Sequence, residues 1–340
     1  MQENTQKSTK KIWLKRFFML AQYALVAVIL WMIWGKLGRA WDQILSADYK
    51  LQLDWTWLAI GGVVYALSLP FPATYWFYAL QHLGQKPKYA ATLRAHIVGH
   101  LGKYIPGKIF VVLIRSGLLK GPGMDTTVCV LSIFLEGLMQ MAVGALVVAG
   151  LAVGWSFQAE DQNLLLGSLL LFAMVGLPIL PPFFKRGVKI IGVKKFSSEV
   201  QKVDQLSWKT FLFGVPLMLG YWFLLGISLW CVLRGIGLSV SLAVLPVALL
   251  AITASMVAGF VIVVSPGGMG VREAIICMIL TTSLTAFTDT PEAAAAVSAC
   301  VLRILWIIVE LICAGTVYTL LASPNKDAVA ESNGNNGDIL

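Results

Sequence analysis

Long apolar runs separated by short polar segments dominate the chain. An α-helix needs about 20 mostly apolar residues to cross the hydrocarbon core of a bilayer. The run at 271–287 is borderline in length, so a full span and a re-entrant arm both stay open for it. With this run included, the pattern predicts an all-α, polytopic membrane bundle of about eight transmembrane helices. The other predicted spans are 17–35, 55–80, 126–154, 164–184, 208–233, 242–264 and 293–321.

The segment 97–123 departs from this pattern. It reads IVGHLGKYIPGKIFVVLIRSGLLKGPG, which is too interrupted to cross a bilayer and too apolar for a loop. Its longest uninterrupted apolar piece runs only from Ile109 to Ile114, far short of a span. We predict a re-entrant half-helix here, close to Pro106. A similar interrupted segment in the second half of the chain suggests an internal, inverted repeat and a second re-entrant half-helix.

Composition supports the membrane assignment. Apolar residues make up 58% of the chain, charged residues only 13%, and the mean hydropathy is +0.79. Ordinary soluble domains carry roughly a quarter charged residues, so this composition excludes them. The net charge of +9 does not indicate nucleic acid, because the bases lie between apolar runs and act as topology signals.

The positions of these bases predict the orientation. Five bases precede the first span, and the loop 185–209 holds seven bases against two acids. The positive-inside rule puts both segments in the cytoplasm, so we expect both termini inside and a multi-pass protein of the inner cell membrane. The first run lacks a small-residue cleavage site and is read as an uncleaved anchor. The predicted domains are a basic terminus (1–16), a transmembrane domain (17–322) and a disordered polar tail (323–340).

Two proline-glycine segments carry the candidate chemistry. One is KYIPGK, beginning at Lys103, and the other is SPGGMGVRE, ending at Glu273. Each puts Pro-Gly before a short apolar helix with a base in its first turns. A half-helix that starts inside the membrane directs unpaired N–H groups and a positive dipole end into any cavity there. The candidate substrate-binding residues are Lys103, Tyr104, Pro106, Gly107, Lys108, Arg115, Glu136, Pro266, Gly267, Gly268, Gly270, Arg272, Glu273, Arg303 and Glu310.

Alternatives stay open for the charged candidates. Lys108 and Arg115 share a helix face, which favours an anionic headgroup such as phosphate, but lysines near helix ends also extend to the interface. Glu136 and Glu310 either orient the arginines around a polar cavity, take up protons, or neutralise bases without touching a substrate.

No catalytic residue, cofactor or metal site is predicted. The cysteines show no paired spacing, and the three histidines have no cysteine or carboxylate cluster beside them. His96 and His100 lie on one helix face, and we interpret them as satisfied interfacial histidines.

With these motifs, the chain resembles the flippase-like transmembrane family that forms the membrane half of lysylphosphatidylglycerol synthases and also occurs as stand-alone proteins. The resemblance rests on HLGKYIPGKIF with Arg115, on Glu136 and on SPGGMGVRE, and it covers about Phe17 to Leu321. Met269 stands where the family more often has leucine. The resemblance implies movement of aminoacylated phospholipid between leaflets, with aminoacyl transfer left to a soluble domain. We find no such domain after Leu321 and expect no synthase activity.

The leading hypothesis is therefore a lipid or lipid-linked substrate translocase, not an enzyme, that binds an anionic headgroup in an intramembrane polar cavity. The chain has no phosphate-binding loop for ATP, so transport would use a gradient or an ATP-using partner, or be passive scrambling. The alternatives are a membrane-embedded lipid or glycan transferase and a non-transporting partner subunit of a lipid-modification pathway. A homodimer and a lipid-modifying enzyme partner stay open, and the family resemblance does not fix the lipid.

Overall fold

The computed structural model describes residues 52–105, 109–121, 124–159, 207–261 and 271–321, with isolated positions at 35, 166–167, 170, 173–174, 180, 182–183 and 186. In these ranges every regular element is helical, which confirms the all-α prediction. Nearly all of the predicted spans 17–35 and 164–184 lies outside the described residues. The basic terminus and the polar tail lie outside them as well.

The helices of the described ranges follow the predicted spans closely. Five helical stretches are long and apolar enough to cross a bilayer: Trp55–His82, Thr126–Gly154, Trp208–Gly235, Leu242–Phe260 and Pro291–Leu320. The chain is therefore membrane-embedded. The helices are α1 (Trp55–Ser68), α2 (Pro70–His82), α3 (Tyr89–His100), α4 (Ile109–Leu119), α5 (Thr126–Ala159), α6 (Trp208–Gly235), α7 (Leu245–Val261), α8 (Val271–Leu284) and α9 (Pro291–Leu320), with 3-10 turns at Leu101–Tyr104 and Leu242–Val244.

Local sequence explains where several helices begin. The Asp54 carboxylate accepts hydrogen bonds from the backbone N–H groups of Thr56 and Trp57 and so caps α1. Asp125 caps α5 in the same way. Helices α1 and α2 form one crossing that breaks before Pro70, because proline lacks the N–H that a continuous helix needs.

Helix α6 lies at the centre of the bundle and packs against α1, α2, α5, α7 and α9. A chain of hydrogen bonds joins three of these helices. The Trp306 indole donates to the Ser228 hydroxyl at 3.0 Å, and that hydroxyl donates to the Gly61 carbonyl at 2.9 Å. Such polar contacts between apolar helices hold membrane bundles together.

Helices α3 and α4 form an antiparallel pair. They contain 12 and 11 residues, so neither reaches the length of a span. Gly102 lies against the backbone of Val111, and Gly99 lies against the Arg115 side chain. The segment predicted as one half-helix from residue 97 is thus two short helices, the first of which already begins at Tyr89. We call this pair hairpin A.

Helices α7 and α8 form a second antiparallel pair, hairpin B, in which Gly259 lies against the Arg272 side chain. The predicted run 271–287 forms a helix of 14 residues. At helical rise this length reaches only about 21 Å, less than the hydrocarbon core of a bilayer. Both hairpins pack against α9.

Candidate functional site

The two hairpins approach α9 from opposite ends. In hairpin A, the Arg94 guanidinium lies 4.4 Å from the Tyr318 ring centre, near the Leu320 end of α9. Further along the chain, the Lys103 ammonium lies 2.5 Å from Glu310. Eight residues separate Tyr318 from Glu310, which corresponds to about 12 Å along the helix. Hairpin A therefore extends from the Leu320 end toward the middle of α9.

Hairpin B extends in the opposite direction, from the Pro291 end of α9 toward its middle. Glu273, at the start of α8, pairs with Arg303 of α9. One turn later on α8, Cys277 lies near Cys300, which is one turn closer to the Pro291 end of α9. The described tips of both hairpins consequently meet the same stretch of α9, between Arg303 and Glu310.

A cavity of about 110 Å³ lies where the two tips meet. This volume can hold several water molecules or a small polar group. Side chains from the 3-10 turn, α7, α8 and α9 form its walls: Lys103, Tyr104, Ile252, Ser255, Met256, Arg272, Glu273, Ile276, Ala299, Leu302, Arg303, Trp306 and Glu310.

Glu310 is the most densely bonded group of the cavity and is only 1% exposed. Its Oε1 accepts hydrogen bonds from the Tyr65 hydroxyl and the Lys103 ammonium, the latter at 2.5 Å, while Oε2 accepts from the Tyr104 hydroxyl at 2.8 Å. Tyr65 also stacks on Trp306, with ring centres 4.4 Å apart. These contacts fix the carboxylate in one position and satisfy its charge, as a buried carboxylate requires.

The cavity carries more positive than negative charge. Lys103, Arg272 and Arg303 line it against two carboxylates, Glu273 and Glu310. Lys103 pairs with Glu310 and Arg303 pairs with Glu273. The Arg272 Nε is buried and has no hydrogen-bond partner among the described residues. The arrangement can therefore attract one small anion into an apolar bundle.

Arg115 and Glu136 form a separate buried pair between α4 and α5. Their side chains are 5% and 3% exposed, and Arg115 Nη1 donates to Glu136 Oε2 at 2.6 Å. The guanidinium also lies 5.5 Å from the Trp76 ring centre. Neither residue lines the cavity. Of the alternatives left open by the sequence, this geometry favours mutual neutralisation for Glu136.

The structure thus brings together six of the sequence-predicted candidates and separates two. Lys103, Tyr104, Arg272, Glu273, Arg303 and Glu310 share one cavity, whereas Arg115 and Glu136 pair elsewhere. Sequence positions Pro106, Gly107, Lys108, Pro266, Gly267, Gly268 and Gly270 lie outside the described residues.

Sequence reasoning missed several groups around Glu310. Tyr65 and Trp306 were not candidates, although an aromatic residue with a polar atom deep in an apolar run is an available signal. The interpretation of His96 as a satisfied histidine was wrong, because its side chain is buried and its Nδ1 has no hydrogen-bond partner among the described residues. His100 Nε2 lies 3.9 Å from Glu310 Oε1. Hydropathy alone could not reveal that this helix face turns toward a carboxylate.

Comparison with known proteins identifies the family. A search among curated proteins finds no match to this chain. Residues 19–314 match the family described as Lysylphosphatidylglycerol synthase TM region. The match covers most of the chain, including both hairpins and most of α9, and it agrees with the resemblance carried by the two proline-glycine motifs. The chain belongs to the lysylphosphatidylglycerol synthase TM region family.

Proposed function

We propose that the protein moves a lipid or lipid-linked substrate between membrane leaflets and binds its anionic headgroup in the cavity between hairpins A and B. The observation that carries this proposal is the excess of positive charge in a cavity built inside apolar helices. A charge within a bilayer costs about 2.5–3.5 kcal/mol on insertion scales. Because three basic side chains around one cavity are costly to insert, we expect them to be kept for a function, which here is binding an anion.

The arrangement of the hairpins supports the same proposal. We propose that hairpin A is re-entrant, since both of its helices are short, whereas hairpin B joins a helix long enough to cross the bilayer to the short helix α8. The described tips of the two hairpins meet α9 from opposite ends at Glu310 and Arg303. Short helices in corresponding halves of the chain around a central site are typical of secondary transporters. In this arrangement the headgroup enters the cavity while the acyl chains stay in lipid.

Leaflet-resolved lipid accessibility tests the proposal. Full-length protein is reconstituted in vesicles that contain fluorescent phosphatidylglycerol, and a membrane-impermeant quencher reports the outer leaflet. We expect the Lys103→Ala and Arg272→Ala substitutions together to slow transfer by about tenfold or more, because a hydrogen bond to a charged group contributes about 1.5–3 kcal/mol.

Arg234→Ala is the matched control. Arg234 lies at the far end of α6, where it contacts the rings of Trp57 and Trp230 and not the cavity. This variant should transfer lipid at the wild-type rate. Equal rates for the cavity variant and the control would contradict the proposal. An altered lipid mass after incubation with the wild-type protein would instead favour a transferase.

A further inference from the structure

Two histidines connect the cavity carboxylate to the interior of hairpin A. His100 Nε2 lies 3.9 Å from Glu310 Oε1, and the His96 and His100 rings stack with centres 6.0 Å apart on successive turns of α3. His96 is 1% exposed, and its Nδ1 has no hydrogen-bond partner among the described residues. A buried imidazole nitrogen without a partner costs free energy, and imidazole is the side chain that most readily takes up and releases a proton near neutral pH.

We infer that Glu310, His100 and His96 form a proton-binding site that couples proton uptake to binding of the anionic headgroup in the adjacent cavity. The inference rests on the proposed function and adds its second substrate, the proton. Nothing in the transport proposal itself requires this coupling, because passive scrambling needs no second substrate.

The charged surroundings decide which member of the site takes the proton. His100 is flanked by Lys103 of the 3-10 turn, Arg115 of α4, Arg272 of α8 and its neighbour His96. His96 is also close to Arg115. Burial, and then the neighbouring lysine and arginines, oppose a charged imidazole, so the histidines are neutral at rest and pass a proton onward.

Glu310 is the acceptor of this proton. It faces Tyr65 of α1, Lys103 and Tyr104 of the 3-10 turn and His100 of α3. Tyr221 of α6 is also within electrostatic range. Of these groups only Lys103 carries a full charge at rest. Protonation of the Glu310 carboxylate leaves the Lys103 ammonium without its ion-pair partner.

The linkage has a defined sign. The lining residues carry three positive and two negative charges, an excess of one. When Glu310 takes a proton, the excess rises to two and the Lys103 ammonium is free to contact an anion. Proton binding therefore raises the affinity for the headgroup, and headgroup binding raises the affinity for the proton by the same factor. One proton moving with a singly charged phosphodiester makes the transport step electrically neutral.

The experiment imposes a pH gradient on vesicles that contain the full-length protein and fluorescent phosphatidylglycerol, with the membrane potential clamped to zero. At steady state the lipid should accumulate in the leaflet that faces the alkaline compartment. With one proton per headgroup, the ratio between leaflets should reach about tenfold per pH unit, because one unit is a tenfold ratio of proton activity. A steady-state ratio is independent of how fast a variant works.

Glu310→Gln and His100→Gln should return this ratio to one. His82→Gln is the matched control, since His82 lies at the end of α2 against the Tyr78 carbonyl and should keep the full ratio. Retention of the full ratio by His100→Gln would overturn the inference. A wild-type protein that moves lipid but distributes it equally under the gradient would also overturn it and would leave the proposed function intact. Absence of any lipid movement would overturn the proposed function itself.

A second measurement uses only the wild-type protein, so it does not require any substituted protein to fold. Saturating glycerophosphoglycerol, the soluble headgroup of phosphatidylglycerol, is added to the purified wild-type protein in weakly buffered detergent solution with a pH dye. The inference predicts proton uptake when the headgroup binds, with an upper limit of one proton per bound headgroup. Binding without proton uptake across the accessible pH range would contradict it.

Discussion

The buried pair of Arg115 and Glu136 illustrates how a charge inside the bundle can be structural. Both side chains are almost fully buried, and the guanidinium packs near the Trp76 indole. Attraction in such a site is largely offset by the free energy needed to remove both charges from water. The pair therefore contributes little by its presence, while loss of one partner leaves an uncompensated charge in an apolar environment.

This asymmetry predicts a non-additive pair of substitutions. Arg115→Met or Glu136→Leu alone should each destabilise the protein by about 3–5 kcal/mol, since each leaves one buried charge unpaired. The double variant should be much closer to the wild type than the sum of the two single changes. Chemical unfolding in detergent micelles, followed by Trp fluorescence, measures all three. Strict additivity would mean that the two side chains do not pair.

The partners of the cavity charges could not be read from the sequence. Arg303 and Glu310 lie seven residues apart on one face of α9, and both line the cavity. Seven positions correspond to about 10 Å along a helix, which is too far for direct contact. Their observed partners, Glu273 and Lys103, come from separate hairpins. Sequence spacing fixes the face of a helix but not the neighbours that this face meets.

The two hairpins share one packing device. In each, a glycine of the first arm makes room for an arginine of the second arm: Gly99 for Arg115 and Gly259 for Arg272. A Cβ at Gly259 would lie 2.9 Å from Arg272 Nε and 3.0 Å from its Cγ. The arms can therefore approach closely only while this position lacks a side chain.

Gly259→Ala should consequently displace Arg272 and lower the stability by about 1–3 kcal/mol, the range for an overpacked site. It should also slow lipid transfer in the vesicle assay, because Arg272 lines the cavity. Gly150→Ala on α5 is the matched control, since no described atom lies within 4 Å of its added Cβ. The control should be neutral or slightly stabilising, because alanine favours a helix over glycine. Identical behaviour of the two variants would argue against the close approach in hairpin B.

Hydropathy identified the long helices but not the first arm of hairpin A. The predicted spans at 55–80, 126–154, 208–233, 242–264 and 293–321 correspond to observed helices because their lengths alone carry the signal. Helix α3 contains Arg94, His96 and His100 and reads as a polar connection. Two of its polar side chains, Arg94 and His100, lie close to partners on α9, Tyr318 and Glu310. A short helix whose polarity is satisfied by tertiary contacts has no signature in a hydropathy pattern.

The ends of the helices sort onto two sides of the bundle. The Asp54 backbone N–H at the start of α1 donates to the Gly235 carbonyl at the end of α6, at 2.8 Å. Toward the opposite ends of these crossings, Tyr78 of α2 stacks near Phe213 of α6, with ring centres 4.2 Å apart. The start of α6, which follows the basic segment 185–209 in the sequence, and the end of α2 therefore share one side. The positive-inside rule predicts that this side is cytoplasmic, whereas the side of Asp54 and Gly235 is external.

Cysteine accessibility in intact cells tests this orientation. Ser239 and Lys86 are both exposed, Ser239 in the turn after α6 and Lys86 in the turn after α2. A membrane-impermeant maleimide should label Ser239→Cys from outside and should label Lys86→Cys only after the cells are opened. The native cysteines Cys129, Cys231 and Cys300 are buried, and Cys277 and Cys313 are half-buried, so the unsubstituted chain gives the background. External labelling of Lys86→Cys would show that the orientation is the reverse of the predicted one. Hairpin A would then enter the membrane from the external face.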